Sequence, residues 1–338
     1  MATRRKSAAS AGPSASASES ELLAIYEDMV RQRRLEEALA RAYGLGKIYG
    51  FCHLYIGQEA ISAGTTAALQ PDDIVVGAYR IHGQALSKGI SAQEIVDELF
   101  GKATGCTGGV GGSMHLFDVD KGFWGGWGLV GQQVPMACGV AFAQRAQKTG
   151  KVVVTFMGDG AVQQGAIHES LNMAAIWNLP IVMVVENNHY GMGTAVDRIS
   201  ALNPIHQMAE AYGVAHEEVD GMDVLAMMDV MDRAVRRARE TSRPSFIEAR
   251  CSRFRGHSMS DPGKYRTKEE LEAEKAQDPI PKLGAVLQER FGVAADRLEA
   301  IDRAAKDEMK QALARAEKAP WPAKEMIFKH IYASQPDA

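Results

Sequence analysis

Two short segments of this chain carry residue types that can bind a metal ion and a phosphate. Gly158, Asp159 and Gly160 follow one apolar run, and Asn187 and Asn188 follow another. A carboxylate and an amide oxygen are hard ligands, of the kind that Mg²⁺ takes together with substrate phosphates and water. The glycines have no side chain to keep a phosphate away from the backbone, and a following helix would present its N–H groups to the anion. These residues therefore predict a site for a magnesium-bound diphosphate.

The elements that must position these residues are two strands and a helix. The apolar runs at 152–157 and 181–185 are rich in β-branched residues and predict buried parallel strands. Between them, Ile167, Leu171, Ala174 and Ala175 recur with helical spacing, and Pro180 follows that helix. A right-handed crossover returns the chain in the same direction, so both strands end at one edge of the sheet. Asp159 and Asn188 are therefore expected to face one ligand.

Other interpretations of this stretch stay open. Gly158 and Gly160 also begin a dinucleotide fingerprint, but Gln163 stands at the third glycine position and no acidic residue follows at the spacing of a ribose contact. A phosphate-binding loop of the Walker type would need a Gly-Lys-Ser/Thr sequence, which does not follow. A tight turn with a purely structural role is the third alternative.

Composition favours an ordinary soluble protein over a nucleic-acid or membrane protein. The 338 residues are 46% hydrophobic and 24% charged, with a net charge of −4. This balance lacks the basic excess that nucleic acid or an anionic membrane requires, and no apolar run approaches the roughly 18 residues of a membrane span. The four cysteines show no C-x-x-C spacing, which predicts buried thiols in a reducing cytoplasm.

The chain is expected to divide into a short extension and one large domain. Residues 1–18 are rich in Ala and Ser and lack the apolar core of a secretion signal, so they predict a disordered extension. The composition is similar to that of an organelle transit peptide, but the segment is short and has no amphipathic spacing. A bacterial cytoplasm is therefore favoured over the mitochondrial matrix. Residues 19–338 are expected to form one α/β domain, with a helical C-terminal extension from about 267.

Further segments are expected to reach the same edge of the sheet. Tyr79 and Arg80 follow a predicted strand at 74–78, where they suit a diphosphate clamp, although a surface salt bridge is the alternative. The glycine-dense stretch 105–131 is interleaved with aromatic residues, which predicts backbone packed closely against a ligand. A strand at 245–251 leads into a polar loop at the active-site edge.

Possible helix starts lie at both ends of the chain. Ser18 with Glu21 and Thr267 with Glu270 are predicted capping boxes, and Asp278 before proline is a predicted helix cap.

Taken together, these segments resemble the α subunit of the heterotetrameric, thiamin diphosphate-dependent component of 2-oxoacid dehydrogenase complexes, and within it the pyruvate dehydrogenase type. The resemblance covers about residues 20–335 and implies an α/β thiamin diphosphate-binding fold, with a mainly parallel sheet flanked by helices. It rests on Gly-Phe-Cys-His-Leu at 50–54, Tyr79-Arg80, Gly-Ser-Met-His at 112–115, the stretch 158–193 and Arg-Gly-His-Ser-Met-Ser-Asp-Pro at 255–262.

The resemblance also assigns roles to individual residues. It implies that Mg²⁺ is held by Asp159, Asn188 and the main-chain carbonyl of Tyr190. It implies catalytic histidines at the reaction centre, His53 and His257, the second of which also touches the cofactor. The cofactor contacts that it implies are Tyr79, Arg80, Gly128, Val130, Gly158, Gly160, Ala161 and Arg253. Trp127, Gln132 and Gln163 depart from the family's pattern.

The implied activity is the oxidative decarboxylation of pyruvate with reductive acetylation of a lipoyl domain, a step between glycolysis and acetyl-CoA. The implied partners are a β subunit in an α₂β₂ heterotetramer, which completes the active site, and a lipoyl acyltransferase core. Acetoin and branched-chain 2-oxoacid dehydrogenase α subunits share the cofactor signature, so they stay open as alternatives. A catalytically silent subunit that binds thiamin diphosphate for structure or regulation is the alternative from another class.

Overall fold

A six-stranded parallel sheet forms the centre of the protein in a computed structural model that describes residues 12–329. The strands are β1 Ile74–Gly77, β2 Phe123–Gly126, β3 Val153–Gly158, β4 Ile181–Asn187, β5 Tyr190–Gly191, β6 Thr194–Ala195, β7 Ala215–Asp220 and β8 Ser245–Arg250. The sheet has the order β2-β1-β3-β4-β8-β7, and every neighbouring pair is parallel. Strands β5 and β6 form a separate antiparallel hairpin. The predicted α/β fold with a mainly parallel sheet is thereby confirmed.

Helices cover both faces of this sheet. They are α1 Pro13–Ser16, α2 Glu19–Gly44, α3 Glu59–Ala67, α4 His82–Ser87, α5 Ala92–Leu99, α6 Gln133–Gln147, α7 Gly165–Ile176, α8 Val224–Thr241, α9 Lys268–Lys275, α10 Pro279–Phe291 and α11 Ala295–Ala316. Short 3₁₀ helices occur at Asp159–Ala161, Val196–Arg198, Ile205–Tyr212 and Lys324–Phe328. Among the helices of residues 12–329, none is both long enough and apolar enough to cross a membrane.

The central unit is β3, α7 and β4, as the apolar pattern predicted. Alternate residues of each strand point to opposite faces, so Val154 packs in the core beneath α2 and α8 while Val153 packs beneath α6 and α7. Every residue of β4 is buried, which is why its sequence is almost continuously apolar. Because β3 and β4 are paired in parallel from Val153 to Gly158, Asp159 and Asn188 leave the sheet at the same edge.

Two of the three helix caps predicted from the sequence are formed as expected, and the third is formed only in part. Ser18 and Glu21 form the predicted capping box of α2, and Asp278 caps α10. Thr267 accepts a hydrogen bond from the Glu270 N–H, but the return bond expected for a second capping box is not formed in the part of the chain that the structure describes.

The N-terminal segment is described only in part. Residues 1–11 of the predicted extension lie outside the described residues. Residues Pro13–Ser16 form a helical turn, which the Asp229 carboxylate holds by accepting hydrogen bonds from the Ser14 N–H and hydroxyl.

Candidate active site

Two adjoining cavities lie at the carboxyl edge of the sheet. The smaller has a volume of about 280 Å³ and the larger about 660 Å³, and they share Tyr79, Val130 and Met192 as wall residues. Of the predicted site residues, the smaller cavity is also lined by Gly158, Asp159, Gly160, Ala161, Asn188, Tyr190 and Arg253. The larger is also lined by His53, Gly128 and His257. These residues follow several different strands or lie in loops, and the parallel sheet brings them together.

Two buried oxygen atoms in the smaller cavity suit a metal ion. Oδ2 of Asp159 and Oδ1 of Asn188 have no hydrogen-bond partner among residues 12–329, although both side chains are buried. The amide nitrogen of Asn188 donates to Oε1 of Gln58 at 3.2 Å, which turns the amide oxygen away from that contact. Buried polar atoms without a partner are costly, so a pair of them on one cavity wall fits a cation with hard oxygen ligands.

Burial also changes the protonation of the Asp159 carboxyl group. It raises the pKa of Asp159 to about 6, and the opposing positive charge of Arg253 only partly offsets the effect. A bound cation would favour the ionised form, because it supplies the opposite charge that the buried carboxylate lacks.

Gly160, in the turn after β3, lets the backbone of that turn pack closely against the backbone at Gly191. A Cβ on Gly160 would stand 3.1 Å from the Cα of Gly191, and a Cβ on Gly191 would meet Gly160 at 3.2 Å. By contrast, a Cβ on Gly158 would meet nothing within 4 Å, so it would extend into free space. The turn thus keeps the hairpin of β5 and β6 against the Asp159 segment and leaves room for a ligand beside Gly158.

Arg253 holds the loop that forms the floor of the smaller cavity. Its terminal nitrogens donate to the carbonyls of Tyr190 and Met192 and to the Tyr265 hydroxyl, each at 3.1 Å, while its buried Nε has no partner among the described residues. The guanidinium therefore places a positive charge beside the cavity and has a donor left for an anion. The Tyr190 carbonyl, which the family pattern assigns to the metal, already accepts one of these bonds and has a second lone pair.

Arg80, which was predicted to touch a diphosphate, is bonded to backbone carbonyls in this structure. Its side chain is buried, and its two terminal nitrogens donate to the carbonyls of Leu54 at 2.6 Å and His257 at 2.7 Å. It is not part of the wall of either cavity. Arg80 therefore connects the segment around His53 to the loop around His257 and adds positive charge behind both.

His53 and His257 face each other in the larger cavity. Their ring centroids are 5.1 Å apart in an edge-to-face arrangement, and the Tyr79 ring lies 4.7 Å from His53. Burial, together with the charge of Arg80, lowers the pKa of His53 to about 3 and that of His257 to about 4. Both imidazoles are therefore neutral near pH 7, and Nδ1 of His53 has no partner within residues 12–329. At these pKa values the imidazoles are weak bases, and the negative charge of a bound phosphate or substrate would raise their pKa values toward the range in which they can accept a proton.

The loop of His257 is ordered by one carboxylate. Asp261 accepts hydrogen bonds from the N–H groups of His257 at 2.6 Å and Gly263 at 2.8 Å and from the Tyr265 hydroxyl at 2.8 Å. These bonds lower the pKa of Asp261 despite its partial burial. The polar loop predicted at the active-site edge therefore carries its own internal support.

Sequence reasoning missed a buried carboxylate that organises the glycine-dense segment. Glu98, on α5, is fully buried and accepts four backbone N–H bonds, from Thr107, Gly109, Gly111 and Gly112, at 2.7 to 3.1 Å. A Cβ on Gly105 would lie 2.3 Å from the Glu98 carboxylate. The first half of this segment is therefore packed against Glu98, whereas the sequence predicted packing against a ligand. Gly128, in the second half, does line the larger cavity.

A second buried acid lies behind the site. Glu186 precedes the Asn pair, and its Oε1 accepts a hydrogen bond from the Gln84 amide at 2.9 Å and a short one from the Tyr55 hydroxyl. Burial raises the pKa of Glu186 to about 7. The acidic residue beside the Asn pair was visible in the sequence, but its partners come from distant segments.

The class of protein that this arrangement defines is an α/β enzyme that holds a phosphate-bearing cofactor at the carboxyl edge of its sheet. Comparison with known proteins narrows this class. The family described as "Dehydrogenase E1 component" matches residues 27–325, and the chain belongs to this family, which implies thiamin diphosphate as its cofactor.

Curated relatives agree with this assignment. The chain is 42% identical over 312 residues to the pyruvate dehydrogenase E1 component subunit alpha of Rickettsia bellii, covering 92% of this chain and 96% of the relative. It is 43% identical over 319 residues to the subunit of the same name from Porphyra purpurea, covering 92% and 93%. It is 44% identical over 286 residues to that of Rhizobium meliloti, covering 84% and 82%.

Proposed function

We propose that this chain is the α subunit of a pyruvate dehydrogenase of the acetyl-transferring type. The single observation that carries the cofactor site is the pair of buried, unpartnered oxygens on Asp159 and Asn188, beside glycine backbone and Arg253. The relatives named pyruvate dehydrogenase support the substrate. The reaction is the oxidative decarboxylation of pyruvate with transfer of the acetyl group to a lipoyl domain of an acyltransferase core.

Mg²⁺ is the cation we assign to the smaller cavity. Its protein ligands would be Oδ2 of Asp159, Oδ1 of Asn188 and the carbonyl of Tyr190. This set supplies three oxygens and leaves positions for phosphate oxygens and water, as Mg²⁺ requires. The backbone N–H groups of Gly160 and Ala161, with Tyr79 and Arg253, would hold the diphosphate. Gly158 leaves the space beside it.

The remaining residues would act at the reaction centre. Thiamin diphosphate, when bound, supplies the electron sink that makes loss of CO₂ from a 2-oxo acid possible. Main-chain groups of Gly128 and Val130 would hold the aminopyrimidine ring in the larger cavity. His53 and His257, neutral before the cofactor binds, would accept and return protons of the substrate and its products. Arg80 would position both histidines through its carbonyl contacts.

A second chain is proposed to complete this site. No glutamate lines either cavity among residues 12–329, although thiamin enzymes of this class supply one to the aminopyrimidine ring. Large apolar side chains in the wall of the larger cavity are also exposed, with Phe51 63% exposed and Met192 66% exposed. A β subunit in an α₂β₂ assembly would supply the glutamate and cover this surface.

We also propose a cellular compartment and a domain organisation for this chain. Cys52, Cys106, Cys138 and Cys251 are all free thiols, which suits a reducing bacterial cytoplasm. Residues 19–338 are proposed to act as one thiamin diphosphate-binding domain. Helices α10 and α11 return to pack on α2, with contacts such as the bidentate Arg31–Glu308 pair between α2 and α11.

Steady-state turnover tests the assignment. The chain should be co-purified with a β subunit and supplied with Mg²⁺, thiamin diphosphate and a lipoyl domain, and pyruvate should be compared with acetoin and 3-methyl-2-oxobutanoate. We expect pyruvate to give the highest kcat/KM. A preference for acetoin or the branched-chain substrate would replace the substrate assignment. Cofactor binding without turnover of any of the three would favour a catalytically silent subunit.

A further inference from the structure

A group of histidines and carboxylates at the far edge of the sheet lies outside the cofactor cavities. Strand β7 carries His216 and Glu218 two positions apart, so both point to the same face. The parallel register places Glu248 of β8 directly opposite Glu218. The 3₁₀ helix Ile205–Tyr212 then brings His206 over that face. The fold thus gathers two imidazoles and two carboxylates from three separate elements.

The distances in this group suit one small cation. One ligand atom each of His206, Glu218 and Glu248 lies within 4.8 Å of the others, and His216 is outside this set of three. Nδ1 of His206 and Nδ1 of His216 are 2.7 Å apart and share a hydrogen bond. On a tetrahedral Zn²⁺ with bonds of 2.0 to 2.1 Å, two ligand atoms are about 3.3 Å apart, so the two nitrogens need to separate by only about 0.6 Å.

The polar contacts around the group leave room for such an ion. Glu248 is fully buried, and its oxygens accept hydrogen bonds from the Asn187 side-chain amide at 2.7 Å and from the backbone N–H of His206 at 2.8 Å. An ionised carboxylate offers about four lone-pair positions, so these two bonds fix its orientation and leave others free. Such bonds to a ligating carboxylate are typical of metal sites.

Arg250 already supplies a positive charge to one carboxylate of this group. Its Nε lies 3.0 Å from Oε2 of Glu218, and its Nη2 donates to Oδ1 of Asn203 at 3.3 Å. The Arg250 side chain is 40% exposed, so its pair with Glu218 contributes little and can open to solvent. A divalent ion would replace this charge and would balance both carboxylates.

We propose that His206, Glu218 and Glu248 form a binding site for a first-row divalent cation of the zinc type, and that His216, which contacts His206, moves in as the fourth ligand when the ion binds. Two imidazole nitrogens and two carboxylate oxygens match the ligands and the coordination number of Zn²⁺. The half-exposed histidines give the ion a path from solvent. This site is separate from the one assigned to Mg²⁺, which has only oxygen ligands, and it does not depend on the proposed activity.

Equilibrium dialysis against Zn²⁺ tests this site on the full chain with its cofactor cavity filled by Mg²⁺ and thiamin diphosphate. The wild-type chain should retain one Zn²⁺. His216→Ala and Glu218→Gln should each weaken binding at least about tenfold. His168→Ala is the matched control, because it removes an exposed histidine that contacts the Tyr212 hydroxyl, and it should bind like the wild type.

Two results would overturn the proposal. One is retention of no Zn²⁺ by the wild-type chain, which would leave the His206–His216 contact as a plain hydrogen bond. The other is unchanged Zn²⁺ retention by His216→Ala and Glu218→Gln, which would place the ion elsewhere, for example on the free thiols. The Glu218→Gln variant keeps the size of an exposed side chain, so it answers the question even if His216→Ala does not fold.

Discussion

Replacing Asp159 by Asn should stabilise the cofactor-free protein and abolish magnesium-dependent cofactor binding. The Asp159 side chain is buried, 1% exposed, and its Oδ2 has no hydrogen-bond partner within residues 12–329. An ionised carboxylate in such a place costs folding free energy, which a bound cation would offset. An Asn of almost the same shape removes the charge and with it both the cost and the metal ligand.

The magnitude follows from the pKa of Asp159. Burial raises it from the ordinary value of 3.8 to about 6, so in that pH range the folded state holds a proton that the unfolded state has lost. Stability therefore falls as the pH rises through this range, and above pH 6 the full cost of about 3 kcal/mol is present. Asp159→Asn should remove this cost, so its advantage over the wild type should be about 1.5 kcal/mol larger at pH 8 than at pH 5.

Urea unfolding at the two pH values, with and without magnesium thiamin diphosphate, measures both effects. Asp28→Asn is the matched control, because burial also raises the pKa of Asp28 to about 6 and Asp28 lies on α2, outside the walls of both cavities. The control should keep magnesium-dependent cofactor binding. Binding by Asp159→Asn with unchanged magnesium dependence would refute the reasoning, and so would a variant no more stable than the wild type at pH 8.

Three further predictions concern the rest of the site. When the pH falls from 7.5 to 5, the cofactor-free His53→Gln variant should lose about 2 kcal/mol less free energy of unfolding than the wild type. In the wild type, the unfolded state binds a proton at His53 below about pH 6.5, whereas the folded state, in which the pKa of His53 is about 3, does not. Urea unfolding at both pH values measures this difference, and equal losses in the two proteins would contradict it. Glu98→Ala should speed amide hydrogen exchange across 105–112 and lower the free energy of unfolding by on the order of 3 kcal/mol, because four N–H groups lose their acceptor. Glu98→Gln, which keeps an acceptor oxygen, should show smaller changes in exchange and in stability. Unchanged exchange in the Ala variant would show that Glu98 does not hold the segment. Magnesium thiamin diphosphate should slow tryptic cleavage in the polar loop 255–266, because bound phosphate gives Arg253 a further partner; equal cleavage rates with and without the cofactor would count against cofactor-dependent ordering.

The centre of the fold was predictable because its strands are buried on both faces. Strands β3 and β4 read as apolar runs, and their parallel pairing fixed where Asp159 and Asn188 emerge. The edge strand β7 was missed, because its sequence Ala-His-Glu-Glu-Val-Asp is polar and partly exposed and carries no core pattern. Strand β2 was missed because two of its four residues are glycine, which rarely favours a strand.

The site was predictable where its residues follow strand ends or match a family motif. Arg80 shows the limit, because no local pattern reveals that its guanidinium is already bonded to two carbonyls. Glu98 shows the same limit of sequence-based prediction, because a single glutamate on a helix usually faces solvent, whereas Glu98 is buried. The four N–H groups that donate to it belong to a segment whose glycines look like ligand contacts. Both depend on long-range packing, which a single sequence does not display.

The position of the metal ion in the assembled protein tests the central claim most directly. Crystals of the chain with its β subunit, grown with thiamin diphosphate and with Mn²⁺ in place of Mg²⁺, would locate the ion by its anomalous scattering. We expect one peak within coordination distance of Oδ2 of Asp159, Oδ1 of Asn188 and the carbonyl of Tyr190, with the diphosphate beside Gly160. A peak at other residues, or a cofactor bound with Oδ2 of Asp159 and Oδ1 of Asn188 still unpartnered, would contradict the account.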